Sequence, residues 1–344
     1  MNRTILQSLA YLVIIIAGLK MANNIILPLL MAIFLFILFL PLAKKLQSIG
    51  TPDIITTIVV FVIILSVIVI ISSFLVSSGQ DIVSNIDTYQ EKFNQLHQNI
   101  ISYFDKHGIF LEQNNIIPLF EPAKIINFMA SFIQSMSDIL TNSFMTLLIV
   151  VFLLLESSQF SKKLLLLMNE KERVNLNIFF KNINGYFLTK TITSLVTGLL
   201  VWALLLHFNL HYALLFGILA FLLNYIPNIG SIMAAIPALL IALLQLTLVE
   251  TLFIGIGYLI INLSIGNFIE PKLMGKKVGL STLVIFLSMI IWGWIFGPIG
   301  MFLSVPLTLI IKLAVENSKR YYWISILLSD QCIEDKTLKE EGKE

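Results

Sequence analysis

The chain has 344 residues, 58% hydrophobic and only 12% charged, with a mean hydropathy of +0.93, which excludes a water-soluble core in an ordinary polar shell. It implies an all-α, polytopic membrane protein with one membrane domain and a modest extramembrane insertion. A net charge of +2 is too mild to indicate nucleic acid, and a lone Cys332 excludes an internal disulfide framework and a cysteine-only metal site.

Apolar runs at Ile5 to Leu19, Ile25 to Leu42 and Ile54 to Val76 predict transmembrane helices within residues 1-76. The first run follows Arg3 as in a signal peptide, but Lys20-Met21-Ala22-Asn23-Asn24 offers no small-x-small cleavage site, so it reads as an uncleaved anchor. Residues 77-138 form the insertion. There Ile86, Tyr89, Phe93, Leu96, Ile100 and Tyr103, and again Ile125, Met129, Phe132, Met136 and Ile139, recur at helical spacing. With Gly108 and Pro118 between them, they predict an antiparallel helical arm whose two seams pack on each other, or which serves contact between copies of the chain. Residues 139-190 hold a span at Ile139 to Leu155 and an amphipathic segment, Glu170 to Gly185, placed to lie along the inner surface or to couple the N-terminal spans to the C-terminal part of the chain. Residues 191-315 carry spans at Thr191 to Phe208 and Leu252 to Phe268, and residues 316-344 form a charged cytoplasmic tail.

Charge sets the direction. Basic residues cluster at Lys44-Lys45, between Lys162 and Lys190, at Lys272, Lys276 and Lys277, and from Lys312 to Arg320, and these loops should face the cytoplasm. The insertion holds seven acidic residues against three lysines and belongs outside. Both termini are then cytoplasmic.

Two further apolar segments are broken in the same way. Pro227-Asn228-Ile229-Gly230 is followed by Pro237, and Pro298-Ile299-Gly300 by Pro306. Each break lies between arms of 14 to 16 residues, only ~21–24 Å long against a hydrocarbon core of ~30 Å. Proline removes a backbone donor and glycine permits a sharp turn, so each pair reads as a re-entrant hairpin. Taken with the span before it, each hairpin forms one unit of an inverted repeat, opening to opposite faces. The tips would bring Asn224, Pro227, Asn228 and Gly230 close to Gly297, Pro298 and Gly300 near the midplane. Four tilted, fully crossing helices satisfy the same charge pattern.

Few side chains suggest chemistry. Glu270, before Pro271 and after Asn267, is a carboxylate at or near the apolar region and so a functional candidate, or else an interfacial group paired with Lys272 or Lys276. Lys190, with Thr191, Thr193, Ser194 and Thr197 following, offers a cation and hydroxyls to a cavity, or snorkels to the inner surface. His207 and His211 have metal-ligand spacing but no third ligand nearby, and read as interfacial. No nucleophile elbow, zinc-binding His-Glu-x-x-His pair or phosphate-binding loop is present, so neither an enzyme nor a cofactor is expected.

The strings Asn224 to Ser231, Asn267 to Gly275 (NFIEPKLMG), Gly279-Leu280-Ser281 and Trp292 to Thr308 resemble the autoinducer-2 exporter family of bacterial membrane proteins, most densely from Gly185 to Lys312. The resemblance implies an inner-membrane permease, forming homo-oligomers, that exports a small polar solute of the furanosyl autoinducer-2 type. Other members look like sodium/proton antiporters, so a coupling proton or sodium ion is the alternative reading. On the export reading, a secondary transporter binds solute at Asn224, Pro227, Asn228, Gly230, Asn267, Gly297, Pro298 and Gly300, with Glu270, Pro271 and Lys190 coupling or gating. A non-transporting scaffold built on the outer arm is a third possibility.

Overall fold

The computed structural model describes residues 3–106, 131, 143–167, 169–227, 229–274, 279–316 and 322–329. Among the described residues the elements are helical, apart from one isolated bridge between Leu280 and Ser329. They are α1 (Arg3–Met21), α2 (Asn23–Ser48), α3 (Asp53–Ser84), α4 (Ile86–Lys106), α5 (Phe144–Leu167), α6 (Glu170–His207), α7 (Ala213–Leu223), α8 (Gly230–Gln245) and α9 (Leu248–Leu263). A π-turn (Ser264–Ile269) leads into α10 (Glu270–Met274), followed by α11 (Thr282–Phe302), α12 (Ser304–Glu316) and α13 (Tyr322–Leu328). Among the described residues five stretches are long and apolar enough to cross a membrane: Asn23–Ser48, Asp53–Ser84, Phe180–His207, Leu248–Leu273 and Thr282–Phe302. Their outward faces carry large apolar side chains such as Ile58, Phe253 and Leu259, which suits contact with lipid tails.

The predicted amphipathic segment and the following span are one element. With no proline between Glu170 and His207, α6 runs unbroken for 38 residues, about 57 Å, and so passes beyond an apolar layer instead of lying along its surface. The predicted helix at Leu252 to Phe268 starts earlier, at Leu248. A capping box places it there: Thr247 accepts from the Glu250 backbone N–H, while the Glu250 carboxylate accepts from the Thr247 backbone N–H at 2.9 Å. Of the predicted outer arm, α4 is its first helix, and the second falls outside the described residues except for one position. Tyr89, a predicted seam residue of the arm, is buried in the cluster formed by α7 and α8.

Both broken segments double back. In the first, α7 and α8 pack side by side, and their ends away from the turn are joined where the His211 backbone N–H donates to the Gln245 side-chain oxygen at 3.0 Å. This base is fastened to the arm. Gln245 donates to the Tyr89 hydroxyl (3.2 Å), which donates to the Tyr212 hydroxyl (3.5 Å), which donates to Asp81 at the end of α3 (2.6 Å). In the second, α11 and α12 pack together, the Trp292 indole N–H donates to Thr308 (3.1 Å), and Lys312 Nζ donates to the Gly279 carbonyl (2.6 Å) at the base.

Two glycines permit the reversals. A Cβ on Gly230 would overlap the Leu223 carbonyl oxygen and stand 2.6 Å from its carbon, and one on Gly300 would overlap the Trp292 carbonyl oxygen and stand 2.7 Å from its carbon. In each hairpin the returning arm thus begins against the backbone of the outgoing one. Gly297 has φ 67° and ψ −151°, a region closed to residues with a Cβ, and it breaks α11 where the sequence predicts the arm to end. The first arm is shorter than predicted, 11 residues. Glycine also sets helix spacing elsewhere: a Cβ on Gly198 of α6 would lie 2.7 Å from the Gly217 carbonyl oxygen of α7, so these two backbones touch.

Candidate functional site

The site grows from one face of α6. Within its 28-residue apolar stretch, Thr189, Lys190, Thr193, Ser194 and Thr197 are all buried. A helix interior satisfies such hydroxyls by back-bonding, as Thr193 does to the Lys190 carbonyl (3.1 Å) and Thr197 to that of Thr193 (2.9 Å).

Lys190 cannot satisfy itself in this way, and its partner comes from 80 positions away. Its Nζ donates to both Glu270 oxygens, at 2.7 and 2.9 Å, with side chains 6% and 16% exposed. Pro271 helps to bring the carboxylate there. Its ring would clash with the carbonyl four residues earlier in an α-helix and it has no N–H; ahead of it the backbone widens into the π-turn, in which the Glu270 N–H bonds the Ile265 carbonyl. Two expectations are settled differently: the described partner of Glu270 is Lys190 and not Lys272, Lys276 lying outside the described residues, and Lys190 is held inside the protein instead of snorkelling to a surface. A carboxylate with this little access to water needs a counter-charge, and the buried ammonium supplies it.

One turn along α6, about 6 Å away, Ser194 accepts a hydrogen bond from the Asn224 amide at the tip of the first hairpin (3.0 Å). Beside it the Tyr225 hydroxyl donates to Thr191 (2.8 Å), which donates to the Phe187 carbonyl. The Tyr225 ring lies 4.6 Å from the Phe302 ring of the second hairpin, and Phe34 of α2 closes edge-on against both at 6.0 and 4.8 Å. This aromatic group is where the two hairpins meet.

Of the predicted residues, Lys190, Glu270 and Asn224 gather on α6, and Gly230 and Gly300 are buried turn-formers. Pro227 and Gly297 are half-buried, while Asn267, Pro271 and Pro298 are exposed. Asn228 lies outside the described residues. Sequence reasoning missed the roles of Tyr225 and Phe302, whose signal, an aromatic next to each Pro/Gly break, is common in apolar segments, and of Phe34, which carries no local signal within its apolar run. His207 lies edge-on to Phe208 and His211 is tilted against Tyr212, and no group able to hold a metal occurs among the described residues.

A broken-hairpin fold around a buried polar face suits transport, and the comparison that decides the family is a match to the AI-2E family transporter model over residues 9–320. The chain belongs to the AI-2E transporter family. It is 35% identical over 338 residues to a Haemophilus influenzae protein whose name assigns it to transport, covering 96% of this chain and 97% of that one. It is 34% identical over 324 residues to the AI-2 transport protein TqsA of Escherichia coli K12, covering 94% of each. A second Escherichia coli K12 protein named for transport, YhhT, is 32% identical over 326 residues, covering 94% of this chain and 93% of that one. This AI-2E family member is therefore a multi-pass membrane transport protein and not an enzyme.

Proposed function

We propose that the chain exports a small polar solute of the furanosyl autoinducer-2 type from the bacterial cytoplasm, by alternating access at a site between two re-entrant hairpins that enter from opposite faces. The observation that carries this reading is the meeting of the hairpins at Tyr225 and Phe302, against a buried polar face of α6 that already engages Asn224. A hydroxylated solute entering between the tips would exchange hydrogen bonds with Asn224 and with backbone groups around Gly230 and Gly300, in keeping with a pocket of a few placed polar groups in apolar walls. The relative TqsA is named for AI-2 transport, which supports the choice of solute. Glu270 and Lys190 serve as the hinge support beneath the site. The antiport reading has less support here, because the Glu270 carboxylate is already neutralised by an ammonium at 2.7 Å and is not a free ligand for a sodium ion.

Proteoliposomes loaded with furanosyl autoinducer-2 test the reading. Wild-type protein should release the solute without a sodium gradient, and Asn224→Ala should slow release about threefold to tenfold, the worth of one hydrogen bond. Release equal to that of protein-free vesicles would refute export of this solute.

A further inference from the structure

Among the described residues, five side chains hold a buried polar atom without a hydrogen-bond partner: Asn23, Ser72, Asn184, Tyr258 and Ser304. Only Ser304 belongs to a hairpin. It is the first residue of α12, beside the second hairpin's tip, and is 0% exposed. A hydroxyl hidden from water and left unpaired costs about 1–3 kcal/mol, and a helix usually offers a carbonyl one turn back to relieve it. Ser288 on the opposite arm takes that remedy (2.9 Å to the Ile285 carbonyl), as do Thr191 and Thr197 on α6. Thr308, one turn further along α12, has its partner in the Trp292 indole. Ser304 has neither.

Its position gives the unpaired hydroxyl a use. Leu303 and Val305, its neighbours in the chain, are buried in the same cluster as Tyr225 and Phe34, and Phe302 lies on the Tyr225 ring. Ser304 therefore stands between two residues of the cluster in which the hairpins meet, so separation of the tips would open that cluster beside it. A serine hydroxyl both donates and accepts, which matches the hydroxyls of a furanosyl solute. We propose that Ser304 is the second hairpin's hydrogen-bonding group for the transported solute, facing the contribution of Asn224 from the first. This rests on the export reading above and adds a specificity-determining residue to it.

The test measures concentration-dependent release of furanosyl autoinducer-2 from proteoliposomes bearing wild type or Ser304→Ala, together with the thermal midpoint of each in detergent. The expected result is a KM raised about fivefold to tenfold with an unchanged or higher midpoint, since the variant removes an unpaired polar atom from the fold. A solute analogue lacking the ring hydroxyl that Ser304 contacts should show equal KM for both proteins, so analogues lacking each hydroxyl in turn identify it. An unchanged KM for the parent solute overturns the proposal, and so does a lowered midpoint, which would mean the hydroxyl is already engaged in the fold. Wild-type vesicles that retain the solute refute export itself, an outcome separate from a wild type that transports and a variant that matches it.

Discussion

Lys190 and Glu270 make a pair whose members cannot be removed one at a time. Taking either away leaves the other charge buried, at a cost of about 3–5 kcal/mol, whereas replacing both with apolar groups of similar volume is close to neutral. Glu270→Gln and Lys190→Met should each lower the thermal midpoint sharply, and the double variant Lys190→Met/Glu270→Met should recover most of the loss. Additive losses in that cycle would show that the pair contributes little. The tip glycines give a second residue-scale prediction. Gly230→Ala and Gly300→Ala drive a methyl into backbone carbonyls that cannot rotate away, so both should reduce folded yield severely, while Gly255→Ala, whose nearest neighbour would be at 3.6 Å, should leave yield unchanged. These glycines were legible in the sequence because their constraint is local. The ion pair was not, because 80 residues separate its members, Glu270 had nearer lysines to suggest, and Lys190 could equally snorkel to a surface.

At the scale of elements, the base of the first hairpin is fastened by the chain Gln245, Tyr89, Tyr212 and Asp81. Tyr212→Phe should cost about 1 kcal/mol and speed amide hydrogen exchange at the ends of α7 and α8 away from the turn; exchange unchanged there would mean the fastening is idle. Burial, and then the hydrogen bond to Asp81, raise the Tyr212 pKa above its ordinary value of 10.0. Its contribution is consequently complete below about pH 10 and fades as pH rises towards the folded value, so the fastening should be insensitive to pH through the physiological range. Periodicity and the Pro/Gly breaks predicted the hairpin arms and the first arm helix well. They divided α6 in two, because its polar and apolar parts differ in composition though nothing interrupts the backbone, and they missed the π-turn, which arises from how the helix accommodates Pro271.

For the whole molecule, the class and four of the six predicted spans, those in α2, α3, α6 and α9, were legible because membrane-crossing segments are written as long apolar runs, whereas Thr282–Phe302, expected as a short hairpin arm, is itself long enough to cross. The approach of the two tips was expected from the sequence, but the side chains through which they touch, Tyr225 and Phe302, were not, since that pairing depends on tertiary packing. Alternating access predicts that the two tips change exposure in opposite senses. In a Cys332→Ser background, Pro227→Cys and Pro298→Cys should label from opposite sides, and saturating furanosyl autoinducer-2 should accelerate one reaction while slowing the other. Parallel changes, or none, would count against a two-sided gate.

The direct backbone contact at Gly198 and Gly217 bears on how such a gate operates. Two helices meshed that closely cannot shear past one another without first lifting apart, and here the hydrogen bonds from Asn224 and Tyr225 to α6 oppose lifting as well. The first hairpin and α6 should travel as a single rigid body. Rings in contact carry no such interlock, so on the export reading the displacement that admits cargo should fall to the aromatic joint, with the second hairpin as the part that swings.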